Sequence, residues 1–332
     1  MRVDTNQALG FSDASVAIPH SELDTLQGLI DWSLVDQRLG AIKGDYAPLS
    51  LFKAMLLQTW HNLSDAGIAD ALRRDLVFMH FCGFSLEGKK PDAATVCRFR
   101  NRLVRVGLFD DLLAIINESL AGQGMKLANG KYISSDATLI QSARRPRKVI
   151  NADETCSHVE VEYSDDKEAT WLRKGDQCVY GYSSNVTTDE DGLIESVTTF
   201  SANRSEMTRL DDVLANIDNK PDQVMLYDKG VDSGHNRELL KQHGLKDGIM
   251  RKKPKGKPMT HWHRLRNKLI GKKRFVVERT FGTLKRTYGM NRARYVGLIK
   301  TQAEVLMKSI AYNLKRGLNR HLKQAPLQVR CV

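Results

Sequence analysis

The basic stretch at residues 251–300 constrains this sequence more than any other feature. It contains seventeen Lys or Arg residues and a single carboxylate, Glu278, whereas the whole 332-residue chain has a net charge of +12. Such a density of cations is typical either of a surface that contacts nucleic acid or of a solvated tail. A solvated tail would lack apolar periodicity, and this stretch has it, at Val277, Phe281, Leu284 and Tyr288. We therefore predict a helix that packs along one side.

Glu278 lies between cations on that helix. Arg274, Glu278 and Lys285 fall within roughly 40° of one another because of the 3.6-residue repeat. A lone carboxylate in such surroundings is either a salt-bridge partner or a metal ligand at a site whose substrate is a polyanion, and the stretch alone leaves both open. Trp262, which His261 and His263 flank, is interpreted as a stacking residue that faces phosphates.

Composition restricts the class of protein. With 41% apolar residues the chain is long enough for two domains with cores of their own. No apolar run approaches the roughly 18 residues of a membrane span, and the first residues lack the apolar core of a secretory signal. The five cysteines are scattered and odd in number, which favours reduced thiols in a cytoplasmic protein. The basic balance favours a nucleic-acid partner over a membrane.

The first 125 residues have the periodicity of helices. A polar arm precedes a strongly apolar helix, a short helix and a basic helix that Asp92 caps; we place these helices at 49–63, 64–74 and 92–106. Arg98, Arg100 and Arg102 project from sides of the basic helix other than its apolar stripe. This order predicts a helix-turn-helix-like DNA reader, and a plain helical bundle with a solvated Arg face is the open alternative. A Gly-spaced linker then divides the chain into domains 1–125 and 126–332.

The second domain has the pattern of a mixed α/β sheet. Residues 131–140 form a predicted strand with Asp136 in its interior, where Asp is disfavoured. Two β-rich runs joined by Asp-Gly predict a hairpin over 177–200, whereas 141–168 reads as an irregular loop. A short buried strand at 223–227 is followed directly by Asp228.

Three carboxylates stand out: Asp136, Asp228 and Glu278. Sheets of this kind place ligands at strand carboxyl ends, and acids gathered there need a counter-charge such as Mg²⁺. Two such ions about 4 Å apart are suited to displacement at phosphorus. Each acid also has a structural interpretation, as a turn residue, a tolerated strand polar group or an ion-pair partner.

Four segments carry a family resemblance. They are Pro91-Asp-Ala-Ala-Thr-Val-Cys-Arg-Phe-Arg100, Ser135-Asp-Ala-Thr-Leu-Ile140, Tyr227-Asp-Lys-Gly230, and Arg274 with Glu278 and Lys285. In this order, with 92 residues from Asp136 to Asp228 and 50 more to Glu278, they resemble DDE transposases of bacterial insertion sequences, the IS-five family most closely. The resemblance extends from about residue 48 to 314.

The resemblance implies a ribonuclease H-like catalytic domain, an all-α N-terminal DNA-binding domain, and Asp136, Asp228 and Glu278 as a catalytic triad. Mg²⁺ would be the cofactor, as two ions that Mn²⁺ could replace. Lys285 would grip a phosphate beside the cleavage site. The family has a Tyr three positions before the Arg, where this chain has Gly271, so the role of that aromatic is open or passes to Trp262 or Tyr288.

The expected function is that of a DNA transposase. It would bind the terminal inverted repeats of its element through the N-terminal helices, cut to free 3′-hydroxyls and join them to target DNA. Arg274, Lys285 and Lys229 would hold flanking phosphates. The expected partner is double-stranded DNA, bound by a homodimer or larger assembly in the bacterial cytoplasm, at the nucleoid. Two alternatives are a helix-turn-helix regulator without catalysis and a ribonuclease H-like nuclease without strand transfer.

Overall fold

The computed structural model describes residues 21–126, 130–145, 149–152, 159–162, 165–218 and 222–324. The chain forms two compact units. Unit 1 comprises Met1–Ala128 and Leu306–Val332, and unit 2 comprises Asn129–Val305. The polar arm predicted for residues 1 to about 45 lies outside the described residues up to residue 20. From there the prediction is wrong, because Glu22–Leu29 and Trp32–Leu39 form helices that bury apolar side chains. The basic residues 146–148 also lie outside the described residues.

The helices begin at residues suited to that position. In chain order they are α1 (Glu22–Leu29), α2 (Trp32–Leu39), α3 (Pro48–Trp60), α4 (Asp65–Arg74), α5 (Leu76–Cys82), α6 (Ala93–Val106), α7 (Phe109–Gly122), α8 (Leu210–Ala215), α9 (Gly234–Gln242), α10 (His261–Thr287) and α11 (Leu298–Gln324). Ser64 caps α4, Asp75 caps α5 and Asp92 caps α6, each through a side-chain oxygen that accepts a backbone N–H of the first turn. Over the described helices, none is long and apolar enough to cross a membrane.

Unit 1 is helical, as predicted for the N-terminal region, but it also includes the end of α11. Trp60 Nε1 donates to the Ala311 carbonyl at 2.8 Å, and Asn313 Nδ2 donates to Asn117 Oδ1 at 2.7 Å in the buried interior. The predicted domains 1–125 and 126–332 therefore differ from the two compact units, because residues from Leu306 onwards belong to unit 1. Apolar periodicity shows that a helix is buried, but it does not identify the helices against which it packs.

Unit 2 contains a mixed sheet. Its strands are β1 (Tyr132–Gln141), β4 (Thr170–Lys174), β5 (Gln177–Thr188), β6 (Ile194–Ser201), β7 (Val224–Tyr227) and β8 (Lys246–Ile249), and a separate pair is formed by β2 (Val149–Ala152) and β3 (Val159–Glu162). The order is β4-β5-β1-β7-β8, with β6 also paired to β5. The pairs of β5 with β1, β4 and β6 are antiparallel, whereas β1, β7 and β8 run parallel.

The predicted mixed sheet and the β5–β6 hairpin are confirmed. The irregular loop predicted for 141–168 is wrong where β2 pairs antiparallel with β3. Strands of only four residues, here Val-Ile-Asn-Ala and Val-Glu-Val-Glu, give too short an alternation to be recognised in sequence. One face of the main sheet covers an apolar core, formed with α8 and α9, that includes Ile133, Met225, Tyr227 and Leu240.

Candidate active site

The strand register brings Asp136 beside Asp228. Strands β1 and β7 pair in parallel, with Ser134 opposite Leu226. Asp136 lies two residues after Ser134, and Asp228 lies two residues after Leu226. Asp136 is still within β1, where it pairs with Val186 of β5. Asp228 follows the last residue of β7 and precedes the 3-10 turn Lys229–Val231. The two carboxylates therefore share one end of the parallel pair, as is usual for ligand sites in such sheets.

Arg274 of α10 bridges the two aspartates. Helix α10 packs against β1, β5 and β7. From it, Arg274 Nη2 lies 3.1 Å from Asp136 Oδ2 and Arg274 Nη1 lies 3.8 Å from Asp228 Oδ1. The arginine is buried, at 5% exposure, and its Nε has no hydrogen-bond partner within the described part of the chain. One guanidinium thus serves two carboxylates and keeps an unused donor.

The pKa of the Asp136 carboxyl lies above its usual range. Burial raises its pKa, while Arg274 and the backbone N–H of Ala137 lower it in part, and the charges of Glu206 and Asp228 raise it again. The net direction is upwards, so the cations and donors around it do not fully compensate the buried negative charge. A site with this balance favours an additional cation.

Glu278 stands apart from the aspartate pair. It lies one turn after Arg274 on α10, its side chain is exposed, and no ion pair reaches it among the residues the structure describes. Within those residues no group of three or more His, Cys, Asp or Glu side chains is arranged to hold a metal ion. The structure thus brings together two of the three predicted acids, and it makes Arg274 a partner of the aspartates rather than of Glu278.

A hydrogen bond beneath the pair was missed by the sequence reasoning. Asn185 of β5 donates through Nδ2 to the hydroxyl oxygen of Tyr227 on β7, so the bond reaches across β1. Burial raises the pKa of Tyr227, which keeps the hydroxyl protonated. Tyr227 directly precedes Asp228, and Asn185 pairs with Ala137 beside Asp136. No sequence signal identifies this pair, because Tyr227 reads as one more apolar residue of a buried strand.

The predicted phosphate and base contacts of unit 2 differ in exposure. Lys229 is exposed and Lys285 is half-buried. Trp262 is 75% exposed in the first turn of α10, where its ring lies edge-on to that of His261. An exposed aromatic on a basic helix is compatible with the stacking predicted from the sequence.

The three arginines predicted to face DNA from α6 do not behave alike. Arg98 is exposed and donates to Thr95 Oγ1 at 3.1 Å, and Arg102 is exposed and donates to the Lys43 carbonyl. Arg100 is buried and forms a two-pronged ion pair with Asp65, with both N–O distances at 2.7 Å. Its prediction as an outward-facing DNA contact is wrong, because residue spacing alone did not reveal the carboxylate on α4 that holds it.

Gly271 faces Met250. A Cβ built on Gly271 would lie 3.3 Å from Met250 Cε, and Met250 Sδ lies 3.9 Å from Arg274 Nη1. A larger side chain at position 271 would require the end of the Met250 side chain, which also lies beside Arg274, to shift.

Comparisons with known proteins agree with this geometry. A family model described as "Transposase DDE domain" matches residues 133–314, and a second, "Transposase domain (DUF772)", matches residues 12–102. A curated relative, the "Transposase for insertion sequence element IS1106" of Neisseria meningitidis serogroup B, is 37% identical over 226 residues, which are 67% of this chain and 77% of the relative.

Solved structures give weaker similarities. A piggyBac transposase synaptic complex with hairpin DNA covers 92% of this chain and 80% of its own chain, at 9% identity and a TM-score of 0.38. The match to a pre-cleavage Mos1 transpososome covers 85% of this chain and 98% of the Mos1 chain, at 10% identity and a TM-score of 0.23. Family membership accordingly rests on the sequence matches. The ribonuclease H-like fold that a DDE domain implies agrees with the mixed sheet of unit 2. The chain belongs to the DDE-domain transposases, and it is a DNA transposase.

Proposed function

We propose that this transposase serves a bacterial insertion sequence of the IS-five family, whose terminal inverted repeats it binds and cuts at the Asp136–Asp228 pair. Cutting frees 3′-hydroxyls, and the same site joins them to target DNA. The observation that supports this most directly is the convergence of the two aspartates on the Arg274 guanidinium. Residues 92 positions apart meet there through a strand register that the sequence alone does not reveal.

The donor set fits a hard divalent cation. Asp136 and Asp228 offer only carboxylate oxygens, which Mg²⁺ and Mn²⁺ favour, and within the described residues Arg274 is the cation that lies within 4.0 Å of both. In the proposal two ions bind, and Glu278 joins the pair from the next turn of α10. When bound, such ions supply activation of the attacking oxygen and stabilisation of the departing one.

The protein groups position the DNA. Lys285 and Lys229 hold phosphates next to the scissile bond, and Trp262 stacks on a base. The phosphate contact expected of Arg274 is replaced by a positioning role, because its guanidinium is buried between Asp136 and Asp228. Arg98 and Arg102 supply end recognition from unit 1, whereas Arg100 is excluded by its ion pair with Asp65. Because both element ends must be held at once, a homodimer or larger assembly acts, in the bacterial cytoplasm at the nucleoid.

The decisive experiment removes one carboxylate. Asp228→Asn should leave binding of a labelled element end intact and abolish cleavage in Mg²⁺, since the side chain keeps its shape and loses its charge. Asp218→Asn is the matched control, because Asp218 is an exposed carboxylate of the same unit, and it should cut at the wild-type rate. Continued cutting by Asp228→Asn would overturn the site assignment. End binding without cutting by the wild type would favour the regulator.

A second assay separates transposition from simple nuclease action. Pre-cut ends carrying free 3′-hydroxyls are mixed with the wild type, Mg²⁺ and a target plasmid. A transposase joins them to the plasmid. A nuclease without strand transfer leaves them unjoined, while it still cuts intact ends.

A further inference from the structure

The loop that follows β8, residues 251–257, leaves the sheet at the same end as Asp228. Strands β7 and β8 run parallel, and the residue after β8 donates its N–H to the last carbonyl of β7 at 3.0 Å. The Lys252 side chain then donates to the Gly230 carbonyl at 3.2 Å. The start of this loop therefore runs alongside the turn that follows Asp228.

Two side chains hold the backbone where the loop begins. Asn267 of α10 accepts the Arg251 N–H through Oδ1 at 2.8 Å and donates through Nδ2 to the Arg251 carbonyl at 2.9 Å. Asp232 accepts the Lys252 N–H through Oδ2 at 2.6 Å, and its other oxygen is paired with Arg237 at 2.7 Å. Side chains from α10 and from the segment after β7 thus fix the backbone of two successive residues beyond the end of β8.

The rest of the loop has a defined shape. The Lys257 N–H donates to the Pro254 carbonyl at 3.4 Å and closes a turn. Gly256, the third residue of that turn, has a φ of +73°, a value that glycine adopts readily. Pro254 also fixes its own φ, which restricts the loop before any partner binds. A solvated tail would need none of these constraints.

The loop carries five cations in seven residues and no carboxylate. Lys253, Lys255 and Lys257 are exposed, and within the described residues no hydrogen bond or ion pair reaches their ammonium groups. Like charges held this close in sequence repel one another, and a polyanion relieves that repulsion. Phosphate is the group that such unpaired ammonium groups are suited to bind.

A structural role for the contacts around the loop would be to cover the edge strand β8. Other side chains already do so, since Arg266 donates to the Asp247 carbonyl at 2.8 Å and Arg237 donates to the Ile249 carbonyl at 3.4 Å. Asn267 holds the chain beyond the end of the strand. Covering the sheet edge therefore does not account for Asn267.

We propose that residues 251–257 form a pre-formed contact for the DNA backbone beside the cleavage site, and that Asn267 and Asp232 are the positioning residues that hold this loop in place. Its three unpaired lysines bind phosphates of the strand that is cut. The inference rests on the proposed function, in which that strand is cut at the aspartate pair. It assigns to two uncharged or acidic side chains a part in DNA binding that the charge of the basic stretch does not reveal.

The first test measures how the full-length protein binds a labelled duplex of arbitrary sequence at several salt concentrations, by fluorescence anisotropy. Phosphate contacts carry no sequence information, so the duplex need not be an element end. Lys253→Ala, Lys255→Ala and Lys257→Ala combined should lower the slope of log affinity against log salt concentration by about 2.7, at about 0.9 for each contact. Lys241→Ala is the control, since this exposed lysine lies in the last turn of α9, on the amino-terminal side of β8, and it should bind as the wild type does. An unchanged slope in the triple variant would overturn the proposal.

Asn267→Ala tests the positioning role, because it removes no charge. Affinity for the duplex should fall by roughly five-fold with the slope near that of the wild type, since the lysines remain but are no longer held. Combined with the three lysine substitutions, Asn267→Ala should cause no further loss, because it acts through those lysines. Additive losses would contradict the positioning role.

Asn216→Ala is the matched control for Asn267→Ala. It also removes two amide hydrogen bonds in unit 2, to Thr198 Oγ1 at 3.2 Å and to the Asp212 carbonyl at 3.1 Å, and it should bind DNA as the wild type does. Thermal denaturation of both variants reports any loss of fold. A lowered melting temperature of Asn267→Ala with unchanged affinity would leave Asn267 a structural role only.

Cleavage of an element end in Mg²⁺ tests where the loop makes its contact. At protein concentrations that saturate the DNA, the triple lysine variant should cut roughly ten-fold more slowly, because the phosphates beside the scissile bond are no longer held. Cutting at the wild-type rate would place the contact away from that bond, against the proposal.

The outcomes separate this inference from the proposed function. Continued cutting by Asp228→Asn means that the site assignment fails, whatever the salt slopes show. If Asp228→Asn is inactive while the triple lysine variant binds and cuts as the wild type does, the aspartate pair stands and the loop has no part in DNA binding.

Discussion

At the scale of residues, the guanidinium of Arg274 balances two carboxylates at once. A single positive charge cannot neutralise Asp136 and Asp228 together, and burial raises the pKa of Asp136 even though Arg274 lowers it. Arginine suits the position because its planar fork presents several donors in fixed directions and keeps its charge when buried. Lysine offers only a point charge, so it would bridge the two aspartates less well.

The hydroxyl of Tyr227 should matter to both stability and catalysis. Tyr227→Phe removes the acceptor of Asn185 Nδ2, and Asn185 Oδ1 already lacks a partner within the described residues. We expect a loss of about 1–2 kcal/mol of unfolding free energy, from one buried donor left unsatisfied. Cleavage should slow by roughly ten-fold while end binding persists, because the support of Asp228 is loosened.

Tyr180→Phe is the matched control for this prediction. It removes a hydroxyl from the same sheet, where Tyr180 donates to the Asp166 carbonyl at 2.6 Å. It should cost comparable stability, measured by thermal denaturation, without slowing cleavage. Equal slowing in both variants would attribute the effect to the stability of unit 2 alone.

Lys53 in unit 1 should make the folding stability of the protein depend on pH. It is 5% exposed, 4.6 Å above the ring centre of Trp32, and donates to Gln27 Oε1. Burial lowers its pKa to about 8 from 10.5. Because the folded state releases the proton first, stability is lowest below pH 8 and rises between pH 8 and 10.5, by roughly 3 kcal/mol.

Lys53→Met should therefore raise the melting temperature at pH 7, and the gain should shrink at pH 10. The exposed Lys89 provides the control, and Lys89→Met should leave the melting temperature unchanged at both values. A variant less stable than the wild type at pH 7 would mean that the aromatic and Gln27 contacts outweigh the cost of burying the charge.

At the scale of elements, burial could be predicted from sequence where a single helix or strand decides it. The stripe of Val277, Phe281 and Leu284 is buried on α10, as predicted. The pairing of Ser134 with Leu226 could not be predicted, because a register depends on two strands and on the chain between them. Arg100 was misplaced for the same reason, since its partner Asp65 belongs to another helix.

Two arginines of α6 test whether a buried, ion-paired side chain and an exposed one have separate roles. Arg100→Ala removes the two-pronged ion pair with the half-buried Asp65, to which Gln58 also donates, and it should cost about 2 kcal/mol of stability. Arg98→Ala should leave stability unchanged and lower affinity for an element end, because Arg98 is exposed. Thermal denaturation and fluorescence anisotropy measure the two effects. Equal loss of stability in both variants would contradict the separate roles.

At the scale of the whole molecule, charge is segregated within one unit. Residues 251–300 contain seventeen of the 51 Lys and Arg residues and only one carboxylate, whereas Asp136 and Asp228 lie together at a strand end in the same unit. A polyanion is attracted by the basic stretch, and a divalent cation is favoured by the carboxylates. This arrangement matches the requirements of phosphoryl transfer, in which positioning and charge neutralisation dominate the rate.

The basic stretch should therefore bind DNA with a steep dependence on salt. Each phosphate contact contributes about 0.9 to the slope of log affinity against log salt concentration, so Lys285→Ala within the stretch and Lys229→Ala outside it should each reduce the slope by about one. Trp262→Ala should lower affinity at every salt concentration with the slope unchanged, because stacking releases no counterions. Anisotropy titrations of an element end between low and moderate salt measure both quantities. A slope near zero for the wild type would show that the cations of this stretch are only solvated, and the phosphate contacts assigned to Lys229 and Lys285 would then be withdrawn.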